Sequence, residues 1–208
     1  MVLTSALGLI VLLALCRCAV VSASEARSAA DDWIVWIAQG FGVGRIPFAP
    51  GTWGSVLGLV WFGLLVGTGS FAIFGAGLGL GAIASIWICG LAEKRLGMTD
   101  PGSVVLDEIV AIPLCFAGWV TSRHLQGNGM PELGYFWEGS NSVWTLAVFG
   151  LFRLFDIAKP WPVGKAQSLP GGWGVTADDL AAALYVNLVL VAVGKVPLVT
   201  ARDWFFRT

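Results

Sequence analysis

The chain has 208 residues, 57% of them hydrophobic and only 12% charged, with a net charge of −1 and a mean hydropathy of +0.81. Soluble domains carry about 25% charged residues, so this composition specifies a bilayer as solvent. The lack of a long basic tract excludes nucleic-acid binding through phosphate neutralisation.

In lipid, every backbone polar group must be satisfied within helices or a closed barrel. The apolar runs are far longer than barrel strands, so the fold class is all-α, a polytopic helical membrane protein with about five hydrophobic helices plus an N-terminal apolar segment. The length suits one membrane domain, residues 31–195, between an N-terminal segment, 1–30, and a C-terminal tail, 196–208. Eleven tryptophans suit interfacial belts.

In chain order, residues 6–21 are apolar apart from Arg17 and lead into Val21-Ser22-Ala23, a small-residue run of the kind signal peptidases cut. No Lys or Arg precedes the run, so a signal peptide, a first span and a misassigned start remain open. Cys16 and Cys18 have no partner cluster of His or Cys, which argues against zinc. Cys89 and Cys115 sit in apolar sequence and read as small buried residues.

Ser55 to Ala92 contains no Asp, Glu, Lys, Arg or His. It is long enough for two helices of about 20 residues, with Gly67-Thr68-Gly69-Ser70 as the turn. A third segment covers 104–122, with Asp107 and Glu108 about one turn inside its start. A fourth covers 141–158 and a fifth 178–194, separated by a loop of prolines and glycines. Alternation across the membrane then puts the loops at 40–54, 92–103 and 159–178 on one face. Arg45, Lys94, Arg95, Lys159 and Lys165 on that face, against Arg123, Lys195, Arg202 and Arg207 on the other, make it cytoplasmic by the positive-inside rule.

Four segments on that face carry chemistry. In the loop from Gly42 to Ser55, glycines permit tight turns, and Thr52 and Ser55 can donate to phosphate oxygens at a helix start. Asp100-Pro101 fits an N-cap followed by proline at the first helical position. The adjacent carboxylates Asp107 and Glu108 are costly in a membrane helix unless they face a polar cavity or partner, and such oxygen donors suit Mg²⁺. Arg153, Asp156 and Lys159 form a stripe at three-residue spacing if the helix reaches Lys159. The two cations are then available for phosphate, and Asp156 for metal or nucleophilic chemistry. Finally, Thr176 and Asp179 have capping-box spacing, which accounts for one member of the Asp178-Asp179 pair and not the other. The single histidine, His124, falls on the other face, which argues against a Ser-His-Asp triad.

These four segments resemble the phosphatidylglycerophosphatase A family. Its marks appear here as Pro47 to Ser55, Asp107-Glu108, Phe152 to Pro162, and Gly171 to Asp179, a resemblance covering residues 36–194. Ala111 and Ala183 depart from it, standing where glycine is expected after each acidic pair. The resemblance implies a Mg²⁺-dependent lipid phosphatase of phospholipid biosynthesis. Its substrate is a phospholipid in the bilayer, phosphatidylglycerophosphate, whose terminal monoester it hydrolyses to phosphatidylglycerol and phosphate, at an inner membrane with the site facing the cytoplasm.

On this reading Asp107, Glu108, Asp178 and Asp179 hold the metal, and Arg45, Thr52, Ser55, Arg153 and Lys159 bind phosphate. The nucleophile is either metal-bound water or an aspartate such as Asp156. The competing class is a transporter or channel relaying protons or cations through its carboxylates. The clustering of charge at one membrane edge and the lack of an internal repeat count against it.

Overall fold

The computed structural model describes residues 33–196, and among these there is no strand. After helical residues 33–38 and a short 3-10 turn come α1 (Pro50–Gly67), α2 (Phe71–Leu96), α3 (Leu106–Cys115), α4 (Ala117–Arg123), α5 (Ser140–Ala158), the single turn α6 (Val163–Ala166) and α7 (Gly172–Ala192). Helices α1, α2, α5 and α7 are each long and apolar enough to cross a membrane. Large apolar side chains such as Val60, Ile83, Trp87, Leu146 and Leu188 are exposed on their outer faces. That surface would aggregate in water and is stable against lipid.

The hairpin of α1 and α2 forms as the sequence predicts. Thr68 Oγ1 donates to the Leu65 carbonyl at 2.7 Å, closing α1, and Ser70 Oγ accepts from the Ile73 N–H at 3.3 Å, capping α2. The expected third span at 104–122 is broken instead. Pro113 lacks an N–H to continue the ladder, and α3 ends at Cys115 before α4 begins at Ala117. This half-length helix is the centre of the bundle, packed against α1, α2 and α7. Its Ala111, Ile112, Cys115 and the following Phe116 have no exposure. Phe116 stacks on Phe62 with ring centroids 4.2 Å apart. Cys89 and Cys115 are both buried, as their apolar settings predict.

Three local expectations are corrected. Helix α7 starts at Gly172, well before residue 178, because the backbone there lies against the Ile86 carbonyl and Gly90 of α2, an approach any Cβ at position 172 would block. Thr176 is therefore inside the helix, and its hydroxyl lies 2.9 Å from that of Ser85 in place of capping. Asp100 is no N-cap either, since α3 begins only at Leu106 and Asp100 has left-handed backbone, φ +48°. Helix α5 ends at Ala158, with Lys159 left-handed at its C-cap, so the stripe of Arg153, Asp156 and Lys159 is interrupted.

The N-termini of α1, α3 and α7 and the C-termini of α2 and α5 meet at one end of the bundle, as alternation requires. The N-terminal apolar segment and all of the C-terminal tail beyond Val196 lie outside the described residues.

Candidate metal and phosphate site

Asp107 and Glu108 occupy the first turn of α3, where the helix dipole favours negative charge. Asp179 reaches them from the second turn of α7. One carboxylate oxygen from each of the three lies within 4.8 Å of the others. Asp107 and Asp179 are 6% and 3% exposed, so this is a concentration of negative charge inside the protein. The Glu108 N–H donates to Asp107 Oδ1 at 3.1 Å, which fixes one member against the next.

Arg153, from the last turns of α5, faces this group. Its Nη1 lies 2.6 Å from Asp156 Oδ2, one turn on, and 3.8 Å from Glu108 Oε1. The same nitrogen donates to Ser55 Oγ at 3.4 Å, and Ser55 in turn donates to the Gly51 carbonyl at 2.8 Å. Ser55 is fully buried and its proton is committed, so it orients Arg153 and is not a free phosphate donor. Gly51 leaves room for both side chains: a Cβ there would run into Glu108 Oε1 and press on both terminal nitrogens of Arg153, so those side-chain ends would have to shift.

Lys159 turns away from Arg153 and donates to Asp178 Oδ2 at 2.6 Å. Burial acts to lower the Lys159 pKa. The hydrogen bond and charge of Asp178, aided by Asp100 and Asp156, outweigh it and hold the ammonium above its ordinary value. Asp178 spends its other oxygen on the Asp179 N–H at 3.1 Å. It thus stands outside the acidic trio, unlike the four-carboxylate set expected from sequence.

Arg45 is also apart from the trio. Its Nε donates at 2.7 Å to Oε1 of the buried Gln39, whose Nε2 donates to Ser103 Oγ at 3.1 Å. Thr52 lies half-buried in the first turn of α1.

A further buried acid, Glu93 at the end of α2, accepts the Asp100 N–H at 2.8 Å, while Asp100 Oδ2 accepts from Gln167 Nε2 at 2.6 Å. This chain ties the loop before α3 to the loop before α7. The sequence reading assigns no role to Gln39, Glu93 or Gln167. The available signal was a glutamate placed before Lys94 and Arg95, against the charge preference of a helix C-terminus.

The trio has the chemistry of a hard-cation site. Three carboxylates converge and only Glu108 has a guanidinium near it. Glu108 Oε2 and Asp179 Oδ2 are buried without any hydrogen-bond partner. Orphaned buried oxygens of this kind are costly unless a cation satisfies them. A donor set of oxygens with no His or Cys suits Mg²⁺ over zinc.

Comparison with known proteins gives a consistent result. The family model described as Phosphatidylglycerophosphatase A matches residues 36–194. The chain is 36% identical over 162 residues to a phosphatidylglycerophosphatase A of Haemophilus influenzae, covering 76% of this chain and 86% of the relative. It is 30% identical over 159 residues to that of Escherichia coli, covering 76% and 81%. A protein of Bacteroides thetaiotaomicron, described as a putative phosphatidylinositol-3-phosphatase, is 35% identical over 165 residues, covering 77% and 92%. No solved structure matches the chain.

Proposed function

Because the chain belongs to the phosphatidylglycerophosphatase A family, we propose that it hydrolyses the terminal phosphate monoester of phosphatidylglycerophosphate, releasing phosphatidylglycerol and inorganic phosphate. The observation that carries this reading is the orphaned trio of Asp107, Glu108 and Asp179 facing Arg153 at one end of a membrane-spanning bundle. Uncatalysed phosphate monoesters are extremely inert, so a site for them needs concentrated positive charge on the transferring group.

Asp107, Glu108 and Asp179 hold the metal in this reading, and Mg²⁺ bound there would supply Lewis acidity against the phosphoryl oxygens. Arg153 binds the phosphate and is positioned by Ser55 and Asp156. Lys159 brings a permanent positive charge to the mouth of the site, held by Asp178. Arg45 and Thr52 lie on the rim, where the rest of the headgroup passes. The family's lipid chemistry and the apolar helices support a substrate presented from the bilayer, with only its headgroup at the carboxylates.

The protein acts at an inner membrane with this face toward the cytoplasm. Arg45, Lys94, Arg95, Lys159 and Lys165 lie on the catalytic face, against Arg123 and Lys195 among the described residues of the other. Ion transport finds no support, since the carboxylates gather at one end of the bundle and not at mid-membrane.

The test is phosphate release from phosphatidylglycerophosphate by the purified full chain, with Mg²⁺ and with chelator. Phosphatidylinositol 3-phosphate serves as a second substrate because of the Bacteroides relative. Metal-dependent release from the first and a much lower kcat/KM on the second is the expected result. No release from phosphatidylglycerophosphate with Mg²⁺ would overturn the reading.

A further inference from the structure

The end of the bundle opposite the carboxylates holds a second built cluster. Arg123 closes α4, Tyr135 lies in the 3-10 turn Leu133–Trp137, Asn141 opens α5, and Lys195 follows α7. Trp119 Nε1 donates to Tyr135 Oη at 3.3 Å, with ring centroids 5.9 Å apart. The Arg123 guanidinium lies 4.0 Å from the Tyr135 ring centroid. Lys195 Nζ lies 4.3 Å from that of Trp119 and 5.7 Å from that of Trp144, and donates to Asn141 Oδ1 at 2.8 Å. Asn141 Nδ2 is spent on the Tyr135 carbonyl at 2.9 Å.

Two half-buried cations thus share one aromatic box, and among the described residues no carboxylate pairs with either. Arg123 Nε is buried without a partner. Cation-π contacts offset part of the cost of withdrawing these charges from water, about 0.5–2 kcal/mol each, but they neutralise nothing. The phenol reports the same field. Burial acts to raise the Tyr135 pKa, yet the hydrogen bonds from Trp119 and Arg123 and the Arg123 and Lys195 charges outweigh it and hold it below the ordinary value. The box favours an anion.

Its height narrows the class of anion. Along α7, Ala192 lies 13 residues beyond Asp179, roughly 20 Å at 1.5 Å per residue, and Lys195 follows that helix end, so the two clusters stand toward opposite faces of a hydrocarbon layer about 30 Å thick. Leu133, Trp137, Val143 and Leu146 nearby are exposed apolar side chains, which places lipid beside the box. We propose that Arg123, Lys195 and the Tyr135 hydroxyl bind the phosphate of an anionic phospholipid in the leaflet opposite the catalytic site. Trp119 donates to Tyr135 Oη, which leaves the phenolic proton to point at a phosphate oxygen.

The full chain, purified in detergent, would be titrated with dihexanoyl phosphatidylserine, with dihexanoyl phosphatidylcholine and with inorganic phosphate, reading the thermal midpoint. Phosphatidylserine should raise it at concentrations where the other two do not. Arg123→Gln and Lys195→Gln should each weaken the apparent affinity by on the order of tenfold, the size of a charge-assisted hydrogen bond. Lys195→Arg, which keeps the charge, and Arg153→Gln, at the other membrane face, should both retain the response.

An equal shift with phosphatidylcholine, or an undiminished shift in both glutamine variants, would overturn the site. An equal shift with inorganic phosphate would overturn its assignment to lipid. If a glutamine variant fails to fold, native mass spectrometry of the wild-type chain replaces it, and equal retention of the two lipids overturns the proposal.

Discussion

Lys159 Nζ stands 2.6 Å from Asp178 Oδ2, joining the C-cap of α5 to the early turns of α7. The pair is the strut across the mouth of the site. Removing one member leaves the other charge partly buried and alone, which is more damaging than removing both.

Lys159→Met should therefore destabilise the protein by about 2 kcal/mol, discounted from a fully buried pair because the lysine side chain is 27% exposed. Lys159→Met combined with Asp178→Asn should cost less than the two single changes summed. The lysine pKa is raised in the folded state from an ordinary 10.5. Its contribution is thus complete below that ordinary value and is lost as pH rises through the folded one. The difference in unfolding midpoint between wild type and Lys159→Met should stay level from about pH 7 to about pH 9. A difference that fades across that window would contradict the strut.

Asp179→Asn is expected to do two opposite things. Turnover should fall to background, since one of the proposed metal ligands is lost. Without metal, however, the variant should unfold at a higher temperature than wild type. Two like charges within 4.8 Å of each other repel by roughly 3–4 kcal/mol at an effective dielectric of 20. Added Mg²⁺ should then stabilise wild type and leave the variant unmoved, by the linkage of binding to folding. Thermal unfolding with chelator and with Mg²⁺ reads this independently of activity, and a wild type indifferent to metal would remove the ligand assignment.

Gly51→Ala isolates geometry from chemistry. The added methyl group displaces Glu108 and Arg153 without deleting any functional atom. A displacement of about 1 Å in such a site is worth roughly 10²-fold in rate, so kcat should fall by about that factor while helical content and detergent stability change little. Near wild-type kcat would mean that the site tolerates the shift.

Asp156 is held by Arg153 at 2.6 Å, which lowers the electron density available for attack on phosphorus. Water is the expected nucleophile. A single turnover on substrate carrying ³²P in its terminal phosphate, quenched in acid, should leave no label on the protein. Acid-stable label released by hydroxylamine would identify an acyl phosphate and transfer the nucleophilic role to Asp156.

Hydropathy and alternation were enough to read the hairpin and the shared face on which Asp107, Glu108, Arg153 and Asp179 gather, because long apolar runs leave the chain few topologies in lipid. Details set by helix-to-helix contact were not legible. The prolines and glycines before residue 178 read as a break, yet contact between Gly172 and α2 starts the helix early and turns Thr176 from a cap into an interior partner of Ser85. The spacing of Arg153, Asp156 and Lys159 read as one stripe, but the left-handed turn at Lys159 sends its ammonium to Asp178. Asp100-Pro101 had the composition of a helix start. Glu93 took its N–H first, and the helix began at Leu106. In each case a contact distant in sequence outcompeted a local preference.

Phe41, Ala49, Asp100 and Lys159 are the non-glycine residues with left-handed backbone among those described, and all of them lie in loops at the catalytic end. Each such residue stores conformational energy of about 1–3 kcal/mol that only the packed surroundings can hold. The molecule therefore has a wound end and a relaxed end. Local opening events should start at the wound end, so amide protons of the catalytic loops should exchange ahead of those in the middle of the helices. A ligand that bridges α3, α5 and α7 there acts as a latch on that stored energy, and the catalytic face should become slow to exchange only when it is occupied.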